Sequence, residues 1–198
     1  MRLGILSEKY EGGGPATIST GEGDSGGASY GTYQLATNTG SVANFVAWLV
    51  MRSDFGRDYG IALSHYQPGS REFSAEWLAL AETDPDGFGR LQDEFVTPHY
   101  YDAAVAVTQE RGIDTDNMPD ALKCVLFANA IQHGPSNAGE LLADSYDDDP
   151  VEWIRRIYDA KINDPDWSSG APDLRSGLFA RWENEKQDAI ALLRGEGI

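Results

Sequence analysis

Apolar side chains recur about every three or four residues over most of the chain beyond residue 40, which is the spacing of one face of an α-helix. The pattern is clear where Phe73, Trp77 and Leu80 share a face. Pro98 is expected to break or kink one of these helices, because proline lacks the N–H that a helix interior needs. The helices predicted from this spacing cover residues 41–51, about 59–64, 70–82, 84–98, about 102–111, about 119–133 and 172–193. A short helix containing Leu141 and Leu142 and a helix that starts at about residue 149 complete the set.

One of these segments, about 119–133, carries apolar residues on most of its faces. The run Asn117–Asp120 is a strong helix start, and Gly134 with Pro135 ends the helix. A helix that is apolar all round needs protein on every side. We therefore predict that it is the central buried helix of the molecule.

The first 35 residues follow a different pattern. A short apolar helix runs from Leu3 to Glu11, and three consecutive glycines stop it. Two strand-like segments follow, joined by a glycine-rich turn that holds Asp24. This predicts a small β-hairpin over about residues 15–35. The fold class is therefore expected to be mainly α, with a small β part (α+β), in one domain covering residues 1–198.

The formal charge of the chain is −17, from 15 basic and 32 acidic residues. Such a charge excludes the binding of nucleic-acid phosphates as a default function, and it opposes adsorption to an anionic wall or membrane. It is compatible with a saline habitat, with a module carried on a larger assembly, or with an acidic groove for a cationic polymer.

The cysteine content and the length of the apolar runs indicate in which cellular compartment the protein is made and how it could reach its substrate. Cys124 is the one cysteine, so no disulfide can form within the chain. The start Met1–Leu6 is too short for the apolar part of a signal peptide, and no run approaches the length of a membrane span. A protein made in the cytoplasm in this form would need a holin, a virion or a secretion machine to reach the cell wall.

Two carboxylates in the first segment suggest glycoside chemistry. Glu11 stands at the C-terminal end of its helix, where the helix dipole disfavours a charged carboxylate, and burial against Leu6 would act in the same direction. Asp24 stands among glycines that allow a tight, solvated turn, so it should stay ionised. One protonated and one ionised carboxyl group form the pair that acid-catalysed glycoside hydrolysis uses. Glu8 and Glu22 are rival carboxylates.

The motifs around these residues resemble a known family. Tyr10-Glu11-Gly12-Gly13 looks like the Glu-Ser-Gly-Gly signature of lysozyme-like muramidases and lytic transglycosylases. The runs Leu6–Glu11 and Ile18–Gln34 are similar to phage-encoded and type VI secretion-associated peptidoglycan hydrolases with a chitosanase-like, lysozyme-like fold. The Gln132–Pro135 run also resembles a segment near the site in that family.

This resemblance implies a lysozyme-like domain whose β-hairpin lies beside the active cleft and which is built around a central helix. It implies that Glu11 is the acid and Asp24 its partner in cleaving the β-1,4 bonds of peptidoglycan or a related glucosamine polymer. It also implies an endolysin-like or virion-associated muramidase, with phage-tail or secretion-apparatus proteins as partners. No cofactor is expected.

Several side chains are candidates for binding the polymer. Tyr30 and Gln34 would share a face of the second strand, with Tyr33 between them, and aromatic and amide groups are suited to sugars. Asn129 and His133 lie at the end of the predicted central helix. His99 and Trp167 are weaker candidates. The Asp147–Asp149 run lacks the spacing of an EF-hand, and no metal site is predicted.

Two other enzymes and one structural protein are alternatives to a muramidase. A lytic transglycosylase needs one acid/base only, and it would release anhydro-muropeptides. A chitosanase would degrade chitosan and ignore peptidoglycan. An inactive, lysozyme-like structural component of a phage tail or secretion tip would bind or assemble without turnover.

Overall fold

A computed structural model describes residues 3–10, 13–20, 27–168 and 175–197 of the chain. Helices dominate this part, as the apolar spacing predicts, and three short strands accompany them. The helices are α1 (Ile5–Tyr10), α2 (Ser41–Val50), α3 (Gly56–Ser64), α4 (Arg71–Thr83), α5 (Pro85–Glu110), α6 (Asp120–His133), α7 (Pro135–Asp144), α8 (Pro150–Asn163), a short 3-10 helix (Pro165–Ser168) and α9 (Arg175–Leu193). The strands are β1 (Ile18–Ser19), β2 (Ser29–Tyr30) and β3 (Leu35–Ala36).

The chain forms two compact units. The first comprises Met1–Tyr10 together with Thr97–Ile198, and the second comprises Glu11–Val96. We call them the α6 unit and the sheet unit. The expectation of one catalytic domain over the whole chain stays a prediction.

The α6 unit is organised around α6. Nine of the ten residues from Ala121 to Ala130 are buried, and the exception, Lys123, is half-buried. Helices α1, α7, α8 and α9 all contact it. Because it is apolar on every face, α6 gains free energy only when protein surrounds it. The predicted central buried helix is therefore present, with Pro119 as its N-cap residue.

The sheet unit has an aromatic core. Phe45 of α2, Trp77 of α4 and Phe88 of α5 are fully buried, and the rings of Trp77 and Phe88 meet edge to face with centroids 4.8 Å apart. The N-cap of α4 is Ser70, whose hydroxyl accepts a hydrogen bond from the backbone N–H of Phe73.

The β part is an antiparallel sheet of order β1-β2-β3, so a third strand joins the predicted hairpin. Ile18 pairs with Tyr30, and Tyr30 pairs with Leu35. The prediction of one strand running from Tyr30 through Gln34 is wrong. A turn covers residues 31–34, because Gly31 has a φ of +75° and Gln34 a φ of +49°, which a strand does not allow.

Of the two outcomes expected at Pro98, the break is wrong, since α5 is 26 residues long and continues through this proline. Pro98 has no N–H, so the carbonyl of Glu94 receives no helix hydrogen bond from it. Both residues are exposed to solvent. Water can therefore satisfy that carbonyl, while buried residues such as Leu91 and Ala104 hold the two halves of the helix in the two cores.

None of the helices in the described ranges has the length and apolarity that crossing a membrane requires.

Candidate functional site

The last turn of α1 is fixed from two sides. Leu6 and Ser7 are buried, and the Tyr10 hydroxyl donates a hydrogen bond to Asp188 of α9. The Nζ of Lys9 lies 2.7 Å from the same carboxylate. Burial and the hydrogen bond to Asp188 raise the pKa of Tyr10, so the hydroxyl keeps its proton. Glu11 follows Tyr10 in the sequence and lies outside the described residues, so its predicted role as the acid stays a prediction.

The segment between the two candidate carboxylates is anchored within the sheet unit. The carbonyl of Pro15 accepts hydrogen bonds from Trp77 Nε1 at 2.8 Å and from Gln92 Nε2 at 3.2 Å. The carbonyl of Thr17 accepts one from the Gly31 N–H at 2.7 Å. Asp24 stands in the connection between β1 and β2 and also lies outside the described residues.

The three candidates from the predicted second strand have different surroundings. Tyr30 is fully buried against Phe73 and Trp77, and its hydroxyl lies 2.9 Å from the Ser74 hydroxyl. Its side chain packs in the core of the sheet unit and has no exposed face to offer a sugar.

Tyr33 and Gln34, in contrast, are half-buried. The Tyr33 hydroxyl donates to Asp93 at 2.7 Å, and Gln34 Nε2 donates to the Gly31 carbonyl at 2.9 Å. The Gln34 amide therefore closes its own turn with one of its two N–H groups. Contact of either side chain with a polymer stays a prediction.

The C-terminal end of α6 carries a buried polar cluster. Lys161 of α8 is fully buried, and its ammonium donates to Asn129 Oδ1 at 2.8 Å and to Gln132 Oε1 at 3.1 Å. The ammonium also lies 4.6 Å from the ring centroid of Trp182. Asn129 is itself 2% exposed, and its Nδ2 donates to the Val125 carbonyl, so its amide is used inside the protein. Asn129 therefore makes its hydrogen bonds to Val125 and Lys161 beneath the protein surface.

Sequence reasoning missed Lys161, although a signal was present. Trp153 and Ile157 precede it at intervals of four residues, so the lysine lies on the apolar stripe of α8. A lysine in that position is expected to be either buried with partners or directed out past the apolar surface. The structure shows the first of these.

His133 is the candidate at the end of α6 that reaches a cavity. Its ring meets Trp167 edge to face with centroids 4.8 Å apart, and the Trp182 ring lies 5.9 Å away. Burial lowers the pKa of His133 to about 3, and the positive charges of Lys161 and Arg181 act in the same direction. The imidazole is therefore neutral at physiological pH.

The cavity beside His133 has a volume of about 300 Å³. We call it the His133 pocket, and the described residues that line it are His133, Asn137, Asp164, Asp166 and Trp167. All five residues belong to the α6 unit, so two predicted candidates, His133 and Trp167, come together in one wall. The third, His99, is exposed on α5 and does not line this pocket.

No group of three or more His, Cys, Asp or Glu side chains within the described ranges could hold a metal ion. Cys124 is buried, and burial raises the pKa of its thiol to about 11. It is therefore a protonated core residue at neutral pH.

Comparison with known structures identifies the fold. A chitosanase from Bacillus subtilis MY002 is similar with a TM-score of 0.59 and 19% sequence identity, over 95% of this chain and 87% of the chitosanase chain. This likeness supports the mainly helical, lysozyme-like α+β fold class that the sequence predicts.

Comparison of sequences identifies the family. The chain is 33% identical over 134 residues to the type VI secretion system spike protein VgrG3 of Vibrio cholerae serotype O1. The match covers 67% of this chain but only 12% of that spike protein. The family described as "Type VI secretion system spike protein VgrG3-like, C-terminal" matches residues 3–186. This chain therefore belongs to the VgrG3-like C-terminal family of type VI secretion system spike proteins.

Proposed function

We propose that the chain is a glycoside hydrolase that cleaves the β-1,4 glycan backbone of peptidoglycan, as a muramidase carried by a secretion spike. The observation that carries the proposal is that the family match extends through both Glu11 and Asp24. These are the carboxylates whose position and flanking glycines already favoured glycosidase chemistry. Family membership supports delivery by a secretion machine over delivery by a holin or a virion.

In the proposed mechanism, Glu11 protonates the oxygen of the leaving sugar. Its position after the last turn of α1 favours the protonated form, because the C-terminal end of a helix carries partial negative charge. Asp24 stays ionised, and it activates water or stabilises the oxocarbenium-like centre that develops on the sugar.

The described residues support this reading by fixing the chain shortly before and shortly after Glu11. Asp188 fixes Tyr10, the residue before Glu11. Trp77 and Gln92 fix Pro15, within the segment that joins the two carboxylates. A catalytic group works best when the elements that carry it are held by packing and hydrogen bonds.

The test is the mass of the products released from purified sacculi. The proposal expects muropeptides with reducing sugar ends and little release from chitosan. Anhydro-sugar ends would identify a lytic transglycosylase, and release from chitosan alone would identify a chitosanase. Absence of products from both polymers would support a structural component without turnover. Each of the last three outcomes contradicts the proposal.

A further inference from the structure

The His133 pocket, defined above, has a wall chemistry that the proposed reaction does not use. It lies between the end of α6, the start of α7 and the 3-10 helix at 165–168. Its volume of about 300 Å³ is at the lower end of the range for small-molecule sites.

The polar groups of the wall are hydrogen-bond acceptors. Asp164 Oδ1 accepts from the backbone N–H of Asp166 at 2.9 Å, which orients the Asp164 carboxylate. Asn137 Nδ2 uses one of its two N–H groups to donate to the His133 carbonyl at 2.9 Å, and its amide oxygen is an acceptor. The carboxylate of Asp166 also lines the pocket, so three described residues of the wall, Asn137, Asp164 and Asp166, carry side-chain oxygens.

The aromatic groups of the wall carry no positive charge. His133 is neutral, and Trp167 meets it edge to face. The Nε2 atom of His133 is enclosed and has no hydrogen-bond partner within the described ranges. An indole ring beside two carboxylates is an arrangement that attracts a cation.

Two cations act on the imidazole, and their charge affects the electrostatic potential of the pocket. Lys161 and Arg181 both lower the pKa of His133, so their fields reach the pocket. Lys161 is fully buried, however, and Asn129 and Gln132 accept from its ammonium. Neither cation lines the cavity, whereas Asp164 and Asp166 do. Among the described residues, the groups that a ligand would contact are therefore acidic, amide or aromatic.

We propose that the His133 pocket binds a primary ammonium group of the polymer on which the domain acts. This inference rests on the proposed function for its choice of polymer. Such a group has two sources in peptidoglycan: a glucosamine unit without its acetyl group, and the side-chain amine of a diamino acid in the peptide. Both donate several hydrogen bonds to oxygens and carry the positive charge that the wall favours.

The test is a binding titration with four probes near pH 6, where both amines are protonated. The probes are a glucosamine tetramer, an N-acetylglucosamine tetramer, a short peptide with a free lysine amine and the same peptide acetylated on that amine. The protein carries Glu11→Gln, so that the sugars are not cleaved. One amine probe is expected to bind about 10-fold more tightly than its acetylated counterpart, and which one does so identifies the source of the amine.

A matched pair of variants assigns the binding to the pocket. Asp164→Asn with Asp166→Asn removes both charges and keeps the shape, and it should weaken binding of the amine about 10-fold. Asp114→Asn with Asp116→Asn is the control, because Asp114 accepts from the Asp116 N–H at 3.0 Å in the same local arrangement elsewhere in the α6 unit. The control should bind like the parent protein.

Three results would overturn the inference: equal binding of amine and acetylated probes, equal loss in the two double variants, or no binding of either amine. None of them depends on turnover. If the amine binds but the wild-type protein releases nothing from sacculi, the pocket stands and the proposed function fails. If sacculi are cleaved but no amine binds, the inference fails and the proposed function stands.

Discussion

His133 is held as a neutral imidazole by its surroundings. Burial is the largest cause of its low pKa of about 3, and Lys161 and Arg181 add to it. In the unfolded chain the same group titrates near its ordinary value of about 6.5. Between these two values the unfolded chain binds a proton that the folded chain does not, so the free energy of unfolding falls as the pH falls through this window.

We expect His133→Gln to remove this dependence. Between pH 6.5 and pH 5, the wild-type protein should lose about 1–2 kcal/mol more of its free energy of unfolding than the variant does. Urea unfolding at the two pH values measures the difference. His99→Gln is the matched control, since it makes the same substitution at an exposed histidine. Equal slopes for wild type and His133→Gln would show that His133 takes up its proton over the same pH range in the folded and the unfolded chain.

The turn between β2 and β3 is the element that sequence periodicity described least well. Gly31 has a φ of +75°, and a Cβ at this position would lie 2.3 Å from Gln92 Oε1 and 3.0 Å from the Trp77 ring. Gln92 is fully buried, and its Oε1 accepts from the Thr32 N–H at 2.9 Å. The glutamine is therefore unable to move aside without breaking this hydrogen bond.

Gly31→Ala is expected to lower the free energy of unfolding by about 2–4 kcal/mol, from backbone strain together with overpacking. Gly112→Ala separates the two causes, because Gly112 has a φ of +87° but a Cβ there would meet no atom of the described residues within 4 Å. It should cost only about 1 kcal/mol. Chemical denaturation of both variants measures the difference. A similar cost for both would show that the contact with Gln92 carries no energy.

Helix α5 offers a second test at this scale. In Pro98→Ala, the restored N–H can donate to the Glu94 carbonyl, and the alanine has the higher helix propensity. Because Pro98 is exposed, the change removes no core contact, and the free energy of unfolding should rise by about 1–2 kcal/mol. A loss of stability would mean instead that the proline sets the path of the helix.

The elements that could be predicted are those whose own residues determine them. Helix α6 is apolar on all faces and has clear ends at Pro119 and Gly134, so its position and burial followed from the sequence. The break at Pro98 and the long strand through Gln34 were wrong for another reason. In both cases the outcome depends on distant residues, namely the packing of both halves of α5 and the buried Gln92 beside Gly31.

The same reasoning applies to the candidate site. The sequence could point to His133 and Trp167, because aromatic and polar residues at helix ends are natural candidates. Their meeting in one pocket depends on how α6 and the 3-10 helix pack, which no local pattern contains. Lys161 lay on an apolar stripe, but its partners Asn129 and Gln132 come from another helix.

At the scale of the whole molecule, the net charge of −17 bears on how the protein reaches its substrate. A freely diffusing hydrolase of an anionic wall gains from a basic surface, since attraction raises its local concentration. A domain carried on a secretion spike needs no such attraction, because the machine brings it to the wall. The acidity is therefore compatible with family membership and with the proposed function.

The central claim is that Glu11 is the proton donor, and the rate of sacculus cleavage by Glu11→Gln tests it most directly. The matched control is Glu8→Gln, since Glu8 is the rival carboxylate one turn earlier on α1. Circular dichroism spectra should show that both variants are folded. We predict that Glu11→Gln loses at least about 1,000-fold in rate while Glu8→Gln stays within about threefold of wild type. Cleavage by folded Glu11→Gln at the wild-type rate would contradict the account.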